Sequence, residues 1–168
     1  MIHVCSLARL QQTIRHSGAT HVVTVLKDIA LVERPAGVRP EHHLHIDVDD
    51  ITSPMDGYRH ACDEHVERLM HFVSEWDRGA PMVIHCFAGI SRSTASAYAA
   101  ACALNPERDE ADIARALRRA SPTAMPNSLI VSLADRLLGR QGRMIRAIEA
   151  IGPGELAYEA DPFRLDLK

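Results

Sequence analysis

The chain has 168 residues, 46% hydrophobic and 24% charged, which is enough apolar material for one core without staples. Its net charge of −3, with no lysine- or arginine-rich block, argues against nucleic acid as the main ligand. No apolar stretch approaches the roughly 20 residues that cross a bilayer.

The first run, residues 2–5 (IHVC), is apolar and suits a strand. Ser6 can cap a helix with Leu7, Leu10 and Ile14 on one face, ended by Gly18. Residues 21–26 (HVVTVL) are rich in β-branched side chains and read as a buried strand. Residues 27–42 carry Pro35, Gly37 and Pro40 and read as a loop. Residues 43–48 (HLHIDV) alternate, with Leu44, Ile46 and Val48 on one strand face. A polar loop from Asp49 to Gly57 follows.

Tyr58, Cys62, Val66, Leu69, Val73 and Trp76 then recur every three or four residues, which predicts an amphipathic helix stopped by Gly79 and Pro81. Residues 82–85 (MVIH) form a short buried strand, and an alanine-rich helix runs from about Ser93 to Leu104. Residues 109–120 form another helix, ended by Ser121-Pro122. Asn127 can cap a last helix with Leu133, Leu137, Met144, Ile148 and Ile151 on one face, kinked at Gly139 and Gly142. Residues 1–151 are read as a single domain and 152–168 as an irregular tail. Strands alternate with helices early and helices dominate late. That predicts an α/β fold, a mostly parallel sheet of four to five strands flanked by helices.

The segment that carries chemistry is Val83-Ile84-His85-Cys86-Phe87-Ala88-Gly89-Ile90-Ser91-Arg92-Ser93. A strand runs into a cysteine, then a tight loop, then an arginine that opens a helix. A helix N-terminus and a nearby cation both stabilise a thiolate. Successive backbone N–H groups of Phe87, Ala88, Gly89, Ile90 and Ser91 can point inward as an anion nest. Gly89 permits a positive φ at the turn. Arg92 brings a planar fork that matches two phosphoryl oxygens. Ser93 can donate a hydrogen bond to the thiolate and help it leave.

This stretch resembles the HCxxGxxR[S/T] signature of the protein tyrosine phosphatase superfamily, matching at His85, Cys86, Gly89, Arg92 and Ser93. The chain length suits the small dual-specificity-like branch. So does Pro126-Asn127, since members of that branch open their last core helix with a Pro-Asn pair. The resemblance spans roughly residues 20–140, with only the loop highly specific. It implies a dual-specificity-phosphatase-like fold and a cysteine-dependent phosphomonoester hydrolase that forms a phosphocysteine on Cys86. It also implies an aspartate general acid in the loop after HLHIDV, where Asp49, Asp50 and Asp56 are candidates and Asp50 lies where the family's acid sits. His85 is expected to brace the cysteine, and Asn127 either to orient water or simply to cap its helix.

No metal or cofactor is expected, because Arg92 and the loop N–H groups supply positive potential. The expected substrate is a phosphorylated protein or a small phosphomonoester, and a tyrosine or dual-specificity protein phosphatase is the leading reading. The loop positions Phe87, Ala88, Ile90 and Ser91 carry no cation, which favours an aryl or protein phosphate over an inositol phosphate or phosphoinositide. A non-catalytic phosphate-binding module and a rhodanese-like sulfurtransferase are the further alternatives.

Other features have plainer readings. His43, His45 and Asp47 share a strand face, where two histidines two residues apart can bind zinc or iron, or simply form a polar strand face. Cys5 ends the first strand and is either a buried thiol or a disulfide partner for an oxidised Cys86. Cys102 lies too far along its helix to reach Cys86. The four cysteines (Cys5, Cys62, Cys86, Cys102) show no CxxC or zinc-ligand spacing. MIHVCSLARLQQ has no basic region followed by an apolar run, so a cytoplasmic location and reduced thiols are expected.

Overall fold

The computed structural model describes residues 1–28 and 32–167, so residues 29–31 of the expected 27–42 loop and Lys168 of the expected tail lie outside the described residues. The elements run in the order β1 (Ile2–Ser6), α1 (Leu10–Ser17), β2 (His21–Val25), β3 (His43–Ile46), α2 (Asp63–Ser74), β4 (Met82–Cys86), α3 (Arg92–Leu104), α4 (Glu110–Ala120), α5 (Ser128–Leu137), α6 (Arg143–Ala150) and β5 (Phe163–Leu165). The strands form one five-stranded sheet in the order β3-β2-β4-β1-β5. β1 to β4 pair in parallel and β5 joins β1 antiparallel. This is the α/β architecture that the sequence predicts.

Both faces of the sheet are covered, which is why β2 and β4 are buried at every position. On one face α1 packs Leu10 and Ile14 against Cys5, Val22 and Val83. On the other lies the main core, built from Val4, Val23, Ile84 and residues of α2 to α6. Helix α3 is buried from Arg92 through Cys102. Its alanines keep it thin, so β4, α2, α4 and α5 can all pack against it. Helix α2 buries Val66, Leu69 and Val73 at helical spacing. Each such burial stabilises by about 1.5–3 kcal/mol.

Four expectations need correction. The amphipathic pattern from Tyr58 to Trp76 becomes helical only at Asp63, because Cys62 sits in an extended conformation as the N-cap and Tyr58 lies exposed in the preceding loop. The single kinked helix after Asn127 is two helices, since Gly139, Gln141 and Gly142 all take positive φ and break the ladder between Leu137 and Arg143. The stretch expected as an irregular tail holds a strand. Phe163 pairs with Val4 and Leu165 with Ile2, and both side chains are buried. Strand β3 also stops at Ile46, two residues before the expected end.

The parallel strands bring their carboxyl ends to one edge. There Ser6, Ile46 and Cys86 end their strands, and the loops that follow converge on the N-terminus of α3. In open α/β sheets this edge is where ligands bind.

Candidate active site

Cys86 is the last residue of β4, and Arg92 is the first of α3. The turn between them is shaped by Gly89, whose φ is 75°. A Cβ there would stand 2.9 Å from both Cys5 C and Ser6 N. Glycine is therefore required twice, once for the left-handed backbone and once for the close approach to β1. The turn is pinned from outside by backbone bonds: Leu7 N donates to Phe87 O at 3.1 Å, Met125 N to Ile90 O at 2.9 Å and Asn127 N to Ser91 O at 3.2 Å. With its carbonyls bound outward, the turn is held in place around the N-terminus of a 13-residue helix.

Cys86 Sγ lies 3.0 Å from Ser93 Oγ, one turn into the region where the α3 N–H groups are unpaired. Arg92 is 92% buried. Its Nη1 donates to Val48 O at 2.9 Å, which fixes the guanidinium against the loop after β3. Its Nε has no hydrogen-bond partner among the described residues. A buried, incompletely paired guanidinium is costly unless an anion completes it.

Asp50 faces Arg92, with Oδ2 3.7 Å from Arg92 Nε. Its other oxygen, Oδ1, accepts from Ser91 Oγ at 2.7 Å and from Asn127 Nδ2 at 2.9 Å. Asn127 Nδ2 also donates to Ile51 O at 3.2 Å, and Asn127 Oδ1 caps α5 by accepting from Ile130 N at 3.1 Å. Cys86, Arg92, Asp50 and Asn127 line one open cleft of about 760 Å³, along with Phe87, Ala88, Ile90 and Ser91. Arg92 is the sole lysine or arginine among its lining residues.

The same fold occurs in solved structures. Cydia pomonella PTP-2 phosphatase superposes with a TM-score of 0.63 and 19% identity, over 80% of this chain and 84% of that one. DUSP15 gives 0.65 and 18%, over 89% and 90%. Human DUSP28 gives 0.64 and 20%, over 83% and 92%. No protein-family model matches the chain, and no curated protein matches it in sequence. The chain has the dual-specificity phosphatase fold.

Within that fold the three candidate acids are separated by their surroundings. Asp49 is spent on structure: its Oδ2 accepts from Arg59 N at 2.8 Å and meets Lys27 Nζ at 3.2 Å. The Arg59 backbone bond holds its carboxyl below the usual range. Asp56 lies exposed in a turn outside the cleft lining. Asp50 alone of the three lines the cleft.

His85 is fully buried beneath Cys86. Its Nε2 meets Thr24 Oγ1 at 2.7 Å, and the same hydroxyl meets His43 Nε2 at 2.8 Å. The Cys86 backbone lies beside the ring, although Nδ1 makes no well-formed hydrogen bond. Burial pushes the His85 ring down to about 3, with His43 and His45 acting in the same direction, so it stands neutral. Through Thr24 it ties the end of β4 to β2 and His43.

The remaining sequence candidates lie outside the cleft lining. The His43 and His45 rings pack edge-to-face with centroids 4.2 Å apart, but His43 Nε2 meets Thr24 Oγ1, and Asp47 pairs with Arg59 and accepts from Asp28 N. No cluster of three metal-ligating side chains occurs among the described residues. Cys5 pairs in register with His85, and Ser6 with Cys86. Strand alternation therefore sends Cys5 and Cys86 to opposite faces, where they join different cores. All four cysteines are free thiols.

Sequence reasoning did not find Thr24, Val48 or the stretch after Gly152. Thr24 carries the lone hydroxyl in the otherwise apolar run after His21, which is a usable signal for a buried hydrogen bond. Val48 acts through its carbonyl and leaves no mark in side-chain identity. Gly152, Pro153, Ala157 and Tyr158 line the cleft, and Ala160 N donates to Ala88 O at 2.9 Å.

Proposed function

We propose that the protein is a phosphomonoester hydrolase acting through a phosphocysteine on Cys86, with a phosphotyrosyl or dual-specificity protein substrate. The observation that carries this reading is Arg92: a buried guanidinium whose Nε makes no hydrogen bond, at an open cleft that also holds Cys86. Such a group is poised for a tetrahedral oxyanion.

In the proposed reaction Cys86 Sγ attacks phosphorus in line, and the P–O bond to the leaving group breaks. Arg92 and the inward N–H groups of the 87–91 turn hold the equatorial oxygens where charge develops. Asp50 gives a proton to the leaving oxygen. Its Oδ1 is held by Ser91 and Asn127, which fix the carboxyl at the cleft. Water then attacks the phosphocysteine, Asp50 takes a proton from that water, and the S–P bond breaks. Ser93 Oγ stabilises the sulfur as it departs. These steps need no metal ion.

The deciding measurement is turnover of para-nitrophenyl phosphate by wild type, Cys86→Ser and Arg92→Ala. Wild type turns over, and both variants lose at least roughly 10³-fold in kcat/KM. Turnover retained by Cys86→Ser, or absent from wild type, rejects the reading. A non-catalytic phosphate-binding module gives binding without turnover, and a sulfurtransferase shows activity with thiosulfate and cyanide instead.

A further inference from the structure

Given the phosphatase reading, we infer that residues 152–160 form a specificity wall, in which Tyr158 and Phe87 grip an apolar residue flanking the phosphorylated residue of a peptide substrate. The segment is anchored at both ends. At its start Arg118 Nη2 donates to Gly152 O at 2.8 Å while Nη1 donates to Pro122 O at 2.7 Å and Ala124 O at 2.8 Å. Glu155 N donates to Pro122 O at 3.0 Å. Gly154 lies so close to the preceding loop that a Cβ would meet Ala124 O at 2.6 Å. At its end Ala160 N donates to Ala88 O at 2.9 Å, and Glu159 accepts from Ser6 Oγ at 2.6 Å. The second anchor ties the segment to the nucleophile's own loop.

Between these anchors the side chains stand out into solvent. Tyr158 is fully exposed and Phe87 is 68% exposed, although both belong to well-anchored backbone. Both line the cleft that holds Cys86, and both also line a smaller pocket of about 340 Å³ beside it, with Leu7, Ala8, Ala88 and Glu159. The two rings therefore mark the border between the phosphoryl site and an adjoining apolar recess. Rigid aromatic side chains offer contact area at low entropic cost. The charge of the cleft selects the occupant: with Arg92 as its one cation, it is complementary to a single phosphoryl group on an apolar carrier, and not to a polyphosphorylated ring. The walls near the rings are apolar too, including Ile90, Met125 and Ala157.

The test uses the full chain and phosphotyrosyl peptides of equal length whose flanking residues are leucine, serine or aspartate. Wild type is expected to favour the leucine peptide in kcat/KM by about 10-fold over the aspartate peptide. Tyr158→Ala is expected to shrink that ratio to about 2-fold, mainly through KM, and Tyr158→Phe to restore it. Because Tyr158 contacts solvent in the free protein, these variants leave the fold intact, and a thermal melt checks this. A flat wild-type ratio, or a ratio that survives Tyr158→Ala, overturns the inference. If wild type turns over para-nitrophenyl phosphate while the ratio is flat, only this inference fails. If it turns over neither, the phosphatase reading fails and takes this one with it.

Discussion

Asn127 joins two parts of the site at once: its Nδ2 donates to Asp50 Oδ1 at 2.9 Å while its Oδ1 caps α5 through Ile130 N at 3.1 Å. The two roles separate by substitution. Asn127→Ser keeps a capping oxygen but is too short to donate to Asp50. It is expected to keep the melting temperature near wild type while slowing cleavage of poor leaving groups. Asn127→Ala loses both, and adds a stability loss of about 1 kcal/mol. Denaturant melts run beside kinetics distinguish the two.

The three loop aspartates make a sharper comparison. Asp50→Ala is expected to slow phosphate esters with poor leaving groups by about 10²–10⁴-fold and to affect para-nitrophenyl phosphate much less. Asp56→Ala, at an exposed turn outside the cleft, is expected to behave as wild type. Asp49→Ala releases Lys27 and the Arg59 backbone, so its effect appears first in stability. A leaving-group plot that steepens for Asp56→Ala and stays unchanged for Asp50→Ala would reverse the assignment.

Thr24 is the keystone beneath Cys86, since one buried hydroxyl serves both His43 and His85. Thr24→Val keeps the shape and strands both ring nitrogens. The expected cost is about 1–3 kcal/mol, read from chemical denaturation. Thr24→Ser, which keeps the hydroxyl, is expected to recover most of that loss and the catalytic rate with it.

The same two histidines set an acid limit on the fold. Burial lowers His43 to about 4 and His85 to about 3, against an ordinary 6.5. Above pH 6.5 both are neutral in folded and unfolded chains and favour neither. Below it the unfolded chain takes up protons that the folded one refuses, so stability falls as pH drops through 6.5 toward 4. Melting temperatures across this range check the direction, and His43→Gln is expected to make the fall shallower.

Gly89→Ala tests the turn itself. The added methyl would meet Cys5 C and Ser6 N at 2.9 Å on a backbone with φ of 75°. Either the turn or β1 must move. A displacement of about 1 Å is enough to lose roughly 10²-fold in rate. Near-wild-type turnover by this variant would show that the turn does not hold the reacting atoms.

How much of this was legible follows from where each signal resides. The turn from Cys86 to Arg92 is local, and its chemistry is written in adjacent side chains. The buried strands showed for the same reason, as runs of β-branched residues. The start of α2 did not, because Tyr58 and Cys62 fit the helical period while the backbone stays extended until Asp63. The break between α5 and α6 was marked by Gly139 and Gly142, but glycine spacing alone does not separate a kink from a full stop. Strand β5 is three residues long and offers one alternation, with Arg164 outward between Phe163 and Leu165. Its identity comes from the partner β1, some 160 positions earlier. Val48 and Ala88 contribute carbonyls, which no side-chain pattern reports.

The position of β5 has a consequence for biosynthesis. β1 is made first, yet both its neighbours come later: β4 from mid-chain and β5 from residues 163–165. During synthesis the flank of β1 that faces β5 stays open until residues 163–165 have emerged. An unpaired strand edge of this kind is a template for intermolecular association. Premature termination just before Phe163 would therefore leave a product with its 86–92 turn in place and a sticky border on the sheet, prone to self-association.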